Sequence, residues 1–179
     1  METAAESLLV TVHEHTALVR VIGRGSFKIS PALKKFGTAV TDRGCTRVII
    51  DMDGCLGMDS TFMGVIGGMA LRLKKQTSGR VIMTNLSPKN LSLLQTLGLD
   101  RLLDMHTAEP ADAAAGLEGE EMARLDTSYA GRKVTAETML SAHEDLLKVT
   151  PENLPKFRDV LAYLKEELKS ATTGDEKGP

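Results

Sequence analysis

Aromatic residues are scarce in this chain of 179 residues. It has no tryptophan, two tyrosines and four phenylalanines, so few rings are available to stack against nucleic-acid bases. Its 22 basic and 24 acidic residues give a net charge of −2, which provides no broad basic field. Binding to a phosphate backbone normally needs such a field. We therefore expect no nucleic-acid partner.

Cysteines and long apolar runs are also lacking. Cys45 and Cys55 have no CxxC spacing and no nearby pair of histidines, so the sequence predicts neither a disulfide framework nor a metal site. No apolar run approaches the roughly 18 residues of a membrane span. The opening residues METAAESLLVTV lack the basic region of a signal peptide. We expect a soluble, cytoplasmic protein that makes no membrane contact.

The first two thirds of the sequence predict an α/β fold. Alternating apolar residues at 8–12 and 17–23, separated by the polar HEHT, indicate an antiparallel hairpin. Short apolar strands then alternate with helices, a spacing that implies parallel pairing with crossovers. The predicted strands are 47–51, 80–84 and a weaker one at 101–106, and the predicted helices are about 31–43, 60–76 and 88–97. This is a mixed sheet opened by a hairpin, with crossover helices.

The last third of the chain has a different composition. Residues 109–132 are rich in Ala, Glu, Gly and Asp, and PADAAAGL can form one short helix before a linker. Two further helices are predicted at 135–149 and 153–169. In the second, apolar residues follow each other at intervals of three and four, the spacing of a seam that needs a partner. These residues are Leu154, Phe157, Leu161, Leu164 and Leu168.

This pattern predicts three segments. A core domain at 1–118 is followed by a linker at 119–132 and by a C-terminal helical hairpin with a disordered tail at 133–179. We expect the hairpin also to contact a second copy of the chain, which would give a homodimer through the C-terminal helices.

The stretch VIIDMDGCLGMDSTFMG, residues 48–64, permits two interpretations. In the first, Asp51 is the nucleophile and Asp53 the acid of a haloacid-dehalogenase-like phosphatase, with Thr84 holding the phosphate. Such a site needs further carboxylates to complete a magnesium shell. Only one weak strand follows Thr84, and it carries no acidic pair. The sequence context therefore disfavours this interpretation.

The second interpretation uses the whole predicted core. The string DMDGCLGMDSTFMGVIGG resembles the signature of STAS domains, the family of anti-sigma factor antagonists, at Asp51, Gly54, Asp59 and Ser60. The resemblance extends from about Ser7 to Leu117. It includes the opening hairpin, the helix at SPALKKF, and the segments VIMTNLSPKN and LLQTLGLDRLLDMH.

The resemblance implies a protein-binding switch with no catalytic residues and no cofactor. In the family, the unmodified protein binds an anti-sigma factor that is also a serine kinase, and phosphorylation of the serine after Asp ends the interaction. Ser60 inherits this position, with Thr61 as the alternative acceptor. The implied partner-binding surface comprises Asp51, Asp53, Gly54, Met58, Asp59, Ser60, Thr61, Phe62 and Gly64. A non-phosphorylated adaptor of a transporter ATPase is another use of the same fold.

Plainer roles are also open for several of these residues. Asp59 and Ser60 fit a helix N-cap, which would be compatible with a switch. Phe62 departs from the family, which often has Gly there, and we expect it to be exposed, either as a partner contact or as an obstacle to a kinase. Glycines at 64, 67 and 68 predict close approach to another backbone. The four histidines show no ligand spacing and are interpreted as ordinary polar residues.

Overall fold

The computed structural model describes residues 5–175, with side chains described as far as residue 172. One seven-stranded mixed sheet has the order β6-β5-β3-β2-β1-β7, and β4 pairs separately with β2. The strands are β1 Ser7–His13, β2 Thr16–Gly25, β3 Arg47–Asp51, β4 Cys55–Met58, β5 Arg80–Thr84, β6 Asp104–Met105 and β7 Ala123–Arg124. The helices are α1 Ser30–Asp42, α2 Ser60–Thr77, α3 Pro88–Thr96, α4 Arg132–Val149 and α5 Leu154–Asp175.

The predicted fold class is confirmed. β1 and β2 form the antiparallel hairpin, and β2, β3, β5 and β6 pair in parallel, as the alternation of strands and helices predicts. Because side chains alternate between the two faces of a strand, neighbouring residues of β3 join different clusters. Val48 and Ile50 belong to the main core, whereas Ile49 packs with Ile82 and Leu117 on the opposite face.

The starts of α1 and α3 differ in their capping. Ser87 caps α3, because its side chain accepts a hydrogen bond from the backbone N–H of Asn90 at 3.1 Å. Ser30 does not cap α1. The helix begins at Ser30, whose hydroxyl donates instead to the carbonyl of Ser26 at 2.8 Å. Pro31 still occupies the first turn, where its missing N–H is tolerated.

Several elements differ from the expectations. The last parallel strand, expected at 101–106, is only two residues long, because a 3₁₀ turn occupies Leu99–Arg101. Residues 111–116, where a short helix was expected, form turns. β4 is not among the strands predicted from the sequence, since four residues between a turn and a helix carry no periodic signal.

The C-terminal helices pack on the rest of the chain. α4 lies against α2 and α5 lies against α4. Ala142 and Leu146 of α4 are members of the main hydrophobic core. The segment expected as a linker contains β7, which pairs with β1. The division at residues 118 and 132 stays a prediction.

Helix α2 is enclosed on several sides. It contacts α1, α4 and β5, and every residue from 61 to 70 is buried. A helix that is apolar around its circumference is typical of a core element. Within residues 5–175, we find no helix with the length and hydropathy needed to cross a lipid bilayer.

Candidate functional site

The start of α2 is organised by Asp59, the residue that links β4 to the helix. Its backbone is extended, and its Oδ1 accepts a hydrogen bond from the N–H of Phe62 at 2.9 Å. This is the N-cap expected from the sequence. Its Oδ2 accepts a second hydrogen bond, from the N–H of Phe27 at 2.7 Å. Asp59 therefore joins α2 to the segment between β2 and α1.

Ser60 is the first residue of α2 and is half-buried. Its Oγ lies 2.9 Å from Nε2 of His143, a residue of α4. The other ring nitrogen, Nδ1, lies 2.6 Å from the carbonyl oxygen of Met139. A carbonyl only accepts, so Nδ1 carries the hydrogen, and in the neutral ring Nε2 is the acceptor. The Ser60 hydroxyl therefore donates to His143.

His143 is only 2% exposed, although the sequence pattern marked it as an ordinary polar residue. Its ring also meets the ring of Phe157 edge to face, with centroids 4.9 Å apart and planes at 66°. The imidazole is thus held by Met139, Phe157 and Ser60 together. No sequence spacing connects residues 60 and 143, so only the packing of α4 on α2 reveals this pair.

The close approach to another backbone that the α2 glycines predict is present at Gly64, whereas Gly67 and Gly68 face side chains. A Cβ at Gly64 would collide with the backbone carbonyl of Ala142, and one at Gly68 would collide with the carboxylate of Asp145. The partner element is α4. Gly64 therefore lets the backbones of α2 and α4 come together beside Ser60, and Gly68 leaves space for the side chain of Asp145.

Several predicted surface residues are buried. Phe62 was expected to be exposed, and this is wrong, because its side chain is 0% exposed. The ring fills the space beside Gly25, where a Cβ would lie 2.6 Å from the Cδ1 of Phe62. Thr61 is 3% exposed and Met58 6% exposed. These three side chains are therefore buried around the start of α2 and do not form its surface.

Asp51, at the end of β3, is held by three donors. Its Oδ1 accepts from Asn85 and from the N–H of Asp53, both at 3.0 Å, and its Oδ2 accepts from Nε of Arg20 at 3.0 Å. Burial alone would raise the pKa of Asp51. The hydrogen bonds and the positive charge of Arg20 outweigh burial and hold this pKa below its usual value. Both carboxylate oxygens are therefore engaged within the fold.

The remaining predicted residues lie in the turn between β3 and β4. Asp53 is exposed, and the carbonyl of Gly54 accepts a hydrogen bond from the N–H of Gly23 at 3.0 Å. Among residues 5–175, no group of three or more His, Cys, Asp or Glu side chains is arranged to hold a metal ion. Cys45 and Cys55 are free and buried, and burial raises the pKa of each thiol.

A groove that sequence reasoning did not find lies beside β4. It has a volume of about 820 Å³, and its charged lining consists of three cationic side chains, Arg24, Lys28 and Lys89, and one carboxylate, Glu6. Leu56 also lines it and is 62% exposed, because β4 turns this side chain away from the core. The cations come from separate elements, so no charge run in the sequence marks the groove.

Solved structures of anti-sigma factor antagonists share this fold. The anti-sigma factor antagonist SpoIIAA in its unphosphorylated form is 22% identical, with a TM-score of 0.53, covering 64% of this chain and 98% of that one. The phosphorylated form of SpoIIAA, described as a Bacillus cell fate determinant, is 22% identical, with a TM-score of 0.50 and coverages of 61% and 96%. An anti-sigma factor antagonist from Mycobacterium paratuberculosis is 21% identical, with a TM-score of 0.51 and coverages of 63% and 93%. No curated protein sequence matches this chain significantly.

The family model of the STAS domain matches residues 7–112. The match includes the hairpin, the parallel strands, β4 and the Asp59–Ser60 pair that begins α2, and it ends before α4. On this match over more than half of the sequence, the chain belongs to the STAS domain family.

Proposed function

We propose that this protein is an anti-sigma factor antagonist, a protein-binding switch controlled by phosphorylation of Ser60. Its partner in this proposal is an anti-sigma factor that is also a serine kinase and that supplies ATP and magnesium. The observation that carries the proposal is the position of the Ser60 hydroxyl, half-buried at the first residue of α2 and directly after the Asp59 cap. One structural neighbour, SpoIIAA, is known in both phosphorylated and unphosphorylated forms.

The surroundings of Ser60 favour it over Thr61 as the acceptor. Thr61 is 3% exposed, so a kinase would have to unfold the first turn of α2 to reach its hydroxyl. A phosphate on Ser60 would adjoin the positive end of the helix dipole, which stabilises anions. It would also add about 1.5 to 2 negative charges next to Asp59, and a partner surface would have to desolvate them.

The docking surface in this proposal lies around the turn before α2. Asp53 is exposed there, and the adjacent groove brings Arg24, Lys28 and Lys89 around Leu56. An exposed leucine in a groove lined by three cations and one carboxylate suits a partner with an apolar side chain flanked by acidic residues. Asp51, Met58 and Phe62 contribute in this proposal by fixing the shape of the surface from within.

We infer that the chain acts without catalysis of its own. The phosphatase alternative needs Asp51 free to attack phosphorus, whereas both of its oxygens accept hydrogen bonds from Arg20, Asn85 and Asp53. The alternative also needs the haloacid-dehalogenase fold, whereas this chain belongs to the STAS domain family.

A second candidate function is a non-phosphorylated adaptor of a transporter ATPase. The hydrogen bond from Ser60 to His143 favours it, because the hydroxyl is already engaged inside the molecule. In this case Ser60 would serve only to attach α4 to α2.

The wider setting is part of the same proposal. We place the protein in the bacterial cytoplasm, with no nucleic-acid or membrane partner. A homodimer through the C-terminal helices would use exposed apolar side chains of α5, among them Leu154 and Tyr163.

The deciding experiment incubates the full chain with ATP, magnesium and a serine kinase of the anti-sigma factor type, and maps the phosphate by mass spectrometry. We expect one phosphate on Ser60, none on Ser60→Ala, and an unchanged yield on Thr61→Ser. Ser60→Asp should weaken binding to the kinase, while Ser60→Ala keeps it. Phosphate on Thr61, or full-strength binding by Ser60→Asp, would contradict the switch and leave the adaptor as the better candidate.

A further inference from the structure

Helix α4 covers the part of α2 that includes Ser60. The family model ends at residue 112, so α4 and α5 lie outside the region that defines the family. Three contacts attach α4 here: Ser60 to His143, Gly64 to the backbone of Ala142, and Gly68 to Asp145. A fourth joins α4 to α1, where Nζ of Lys34 donates to the hydroxyl of Ser141 at 3.0 Å.

The Ser60 to His143 hydrogen bond cannot coexist with a phosphate on Ser60. The Oγ and Nε2 atoms are 2.9 Å apart, which leaves no space for a phosphoryl group between them. An esterified oxygen also has no hydrogen to donate. If the phosphate points to solvent instead, Nε2 of the buried imidazole loses its donor, and an unpaired buried polar atom is destabilising.

We propose that the α4–α5 hairpin is a cover held closed by Ser60 and His143, and that phosphorylation of Ser60 releases it from α2. The cover keeps the outer face of α2 occupied by the chain's own helix. Release frees the surface around Gly64 and Gly68, which the close packing of Ala142 and Asp145 now fills.

The proposal gives the C-terminal helices a role in regulation. A partner that needs the outer face of α2 competes with α4 for the same surface, so its affinity depends on how often the cover opens. A kinase that acts on Ser60 also competes with α4, because the hydrogen bond between Ser60 and His143 must break before the hydroxyl can accept a phosphate. This inference rests on the proposed role of Ser60 as the phosphorylated residue.

The test measures release of the cover without using a kinase. Full-length protein is produced with phosphoserine incorporated at position 60 during synthesis, so no kinase partner is needed. Amide hydrogen exchange is followed in α4 and α5, with the central strands β3 and β5 as internal references. The control carries phosphoserine at Ser92, an exposed position of α3.

We expect phosphoserine at 60 to speed exchange in α4 by about tenfold, which corresponds to ~1.4 kcal/mol of opening free energy. The β3 and β5 amides should exchange as in the unmodified protein, and phosphoserine at 92 should change neither region. Unchanged or slower exchange in α4 would overturn the proposal, since the hairpin would then ignore or bind the phosphate. Equal acceleration in the strands would overturn it too, since α4 would not open separately.

A second comparison opens the cover without phosphate. Gly64→Ala places a methyl group against the α4 backbone, whereas the methyl group of Gly68→Ala meets only the side chain of Asp145, which can rotate. We expect faster α4 exchange in Gly64→Ala than in Gly68→Ala. Equal exchange in the two variants would contradict the cover. Failure of the kinase to modify Ser60 would count against the proposed function and leave these measurements unaffected.

Discussion

Asp59 accepts a hydrogen bond from the backbone N–H of Phe27 at 2.7 Å, across 32 residues of sequence. The same carboxylate caps α2 through Phe62, so one side chain fixes both the helix and the loop that precedes α1. A charged acceptor with two backbone donors is stronger than a neutral cap.

Asp59→Ala should therefore destabilise the protein more than the loss of an ordinary N-cap does. We expect a loss of about 1–3 kcal/mol in the free energy of unfolding, measured by urea titration. Asp59→Asn should lose less, because its amide oxygen still accepts one of the two hydrogen bonds. Equal losses for the two variants would show that the hydrogen bond kept by the asparagine oxygen contributes nothing.

The contact between Gly25 and Phe62 predicts non-additive stability changes. Gly25→Ala forces a methyl group against the buried ring and should destabilise the fold by about 1–3 kcal/mol. In a Phe62→Leu background the same change should cost less, because the shorter side chain can turn away. A double-mutant cycle should give a coupling of at least about 0.5 kcal/mol. Strict additivity would contradict the contact.

Asp51 predicts how stability depends on pH. Its pKa in the folded protein lies below the usual value, so its contribution is complete above about pH 5 and is lost as the pH falls through the folded pKa. Asp51→Asn should be destabilised relative to the parent at pH 7, and the difference should shrink towards pH 3. Asp53→Asn, at an exposed position, is the control and should show a smaller difference at pH 7. A difference that does not change with pH would rule out the carboxylate as its source.

The hydrogen bonds of Asn153 contribute to the stability with which the C-terminal helices pack on the rest of the chain. Its buried Nδ2 donates to the carbonyls of Leu97 and Leu146, at 3.0 and 2.9 Å, and so joins the loop after α3 to the end of α4. Asn153→Asp cannot donate these bonds and places a charge among buried groups. We expect it to be less stable than Asn153→Ala, which should itself lose about 1–3 kcal/mol. The reverse order in thermal unfolding would contradict this role.

Ending the chain at Gly131 tests the predicted domain division. The shortened protein would expose the outer face of α2 and the core positions next to Ala142 and Leu146. We expect a lower melting temperature and self-association in analytical ultracentrifugation. A chain ending at residue 172 is the control and should match the parent. A shortened chain as stable as the parent, and monomeric, would mean that the hairpin is an independent unit.

The sequence predicted more of the fold than of the candidate site. Strands with apolar runs, such as 47–51 and 80–84, and the caps Asp59 and Ser87 depend on local patterns, so they were predictable. β4 depends on pairing with β2, and its four residues carry no pattern of their own. The burial of Phe62 depends on Gly25, and the role of His143 depends on how α4 crosses α2. Such contacts are between residues far apart in the sequence, and no local spacing encodes them.

The enclosure of α2 has a consequence for synthesis on the ribosome. The polypeptide is made from its N-terminus, so α2 leaves the exit tunnel well before α4, the helix that covers its outer side. At roughly 5–20 residues per second, the 54 residues between Thr77 and Arg132 delay α4 by several seconds. During that interval the nascent chain presents an uncovered, glycine-lined apolar helix, which is a ready target for a molecular chaperone.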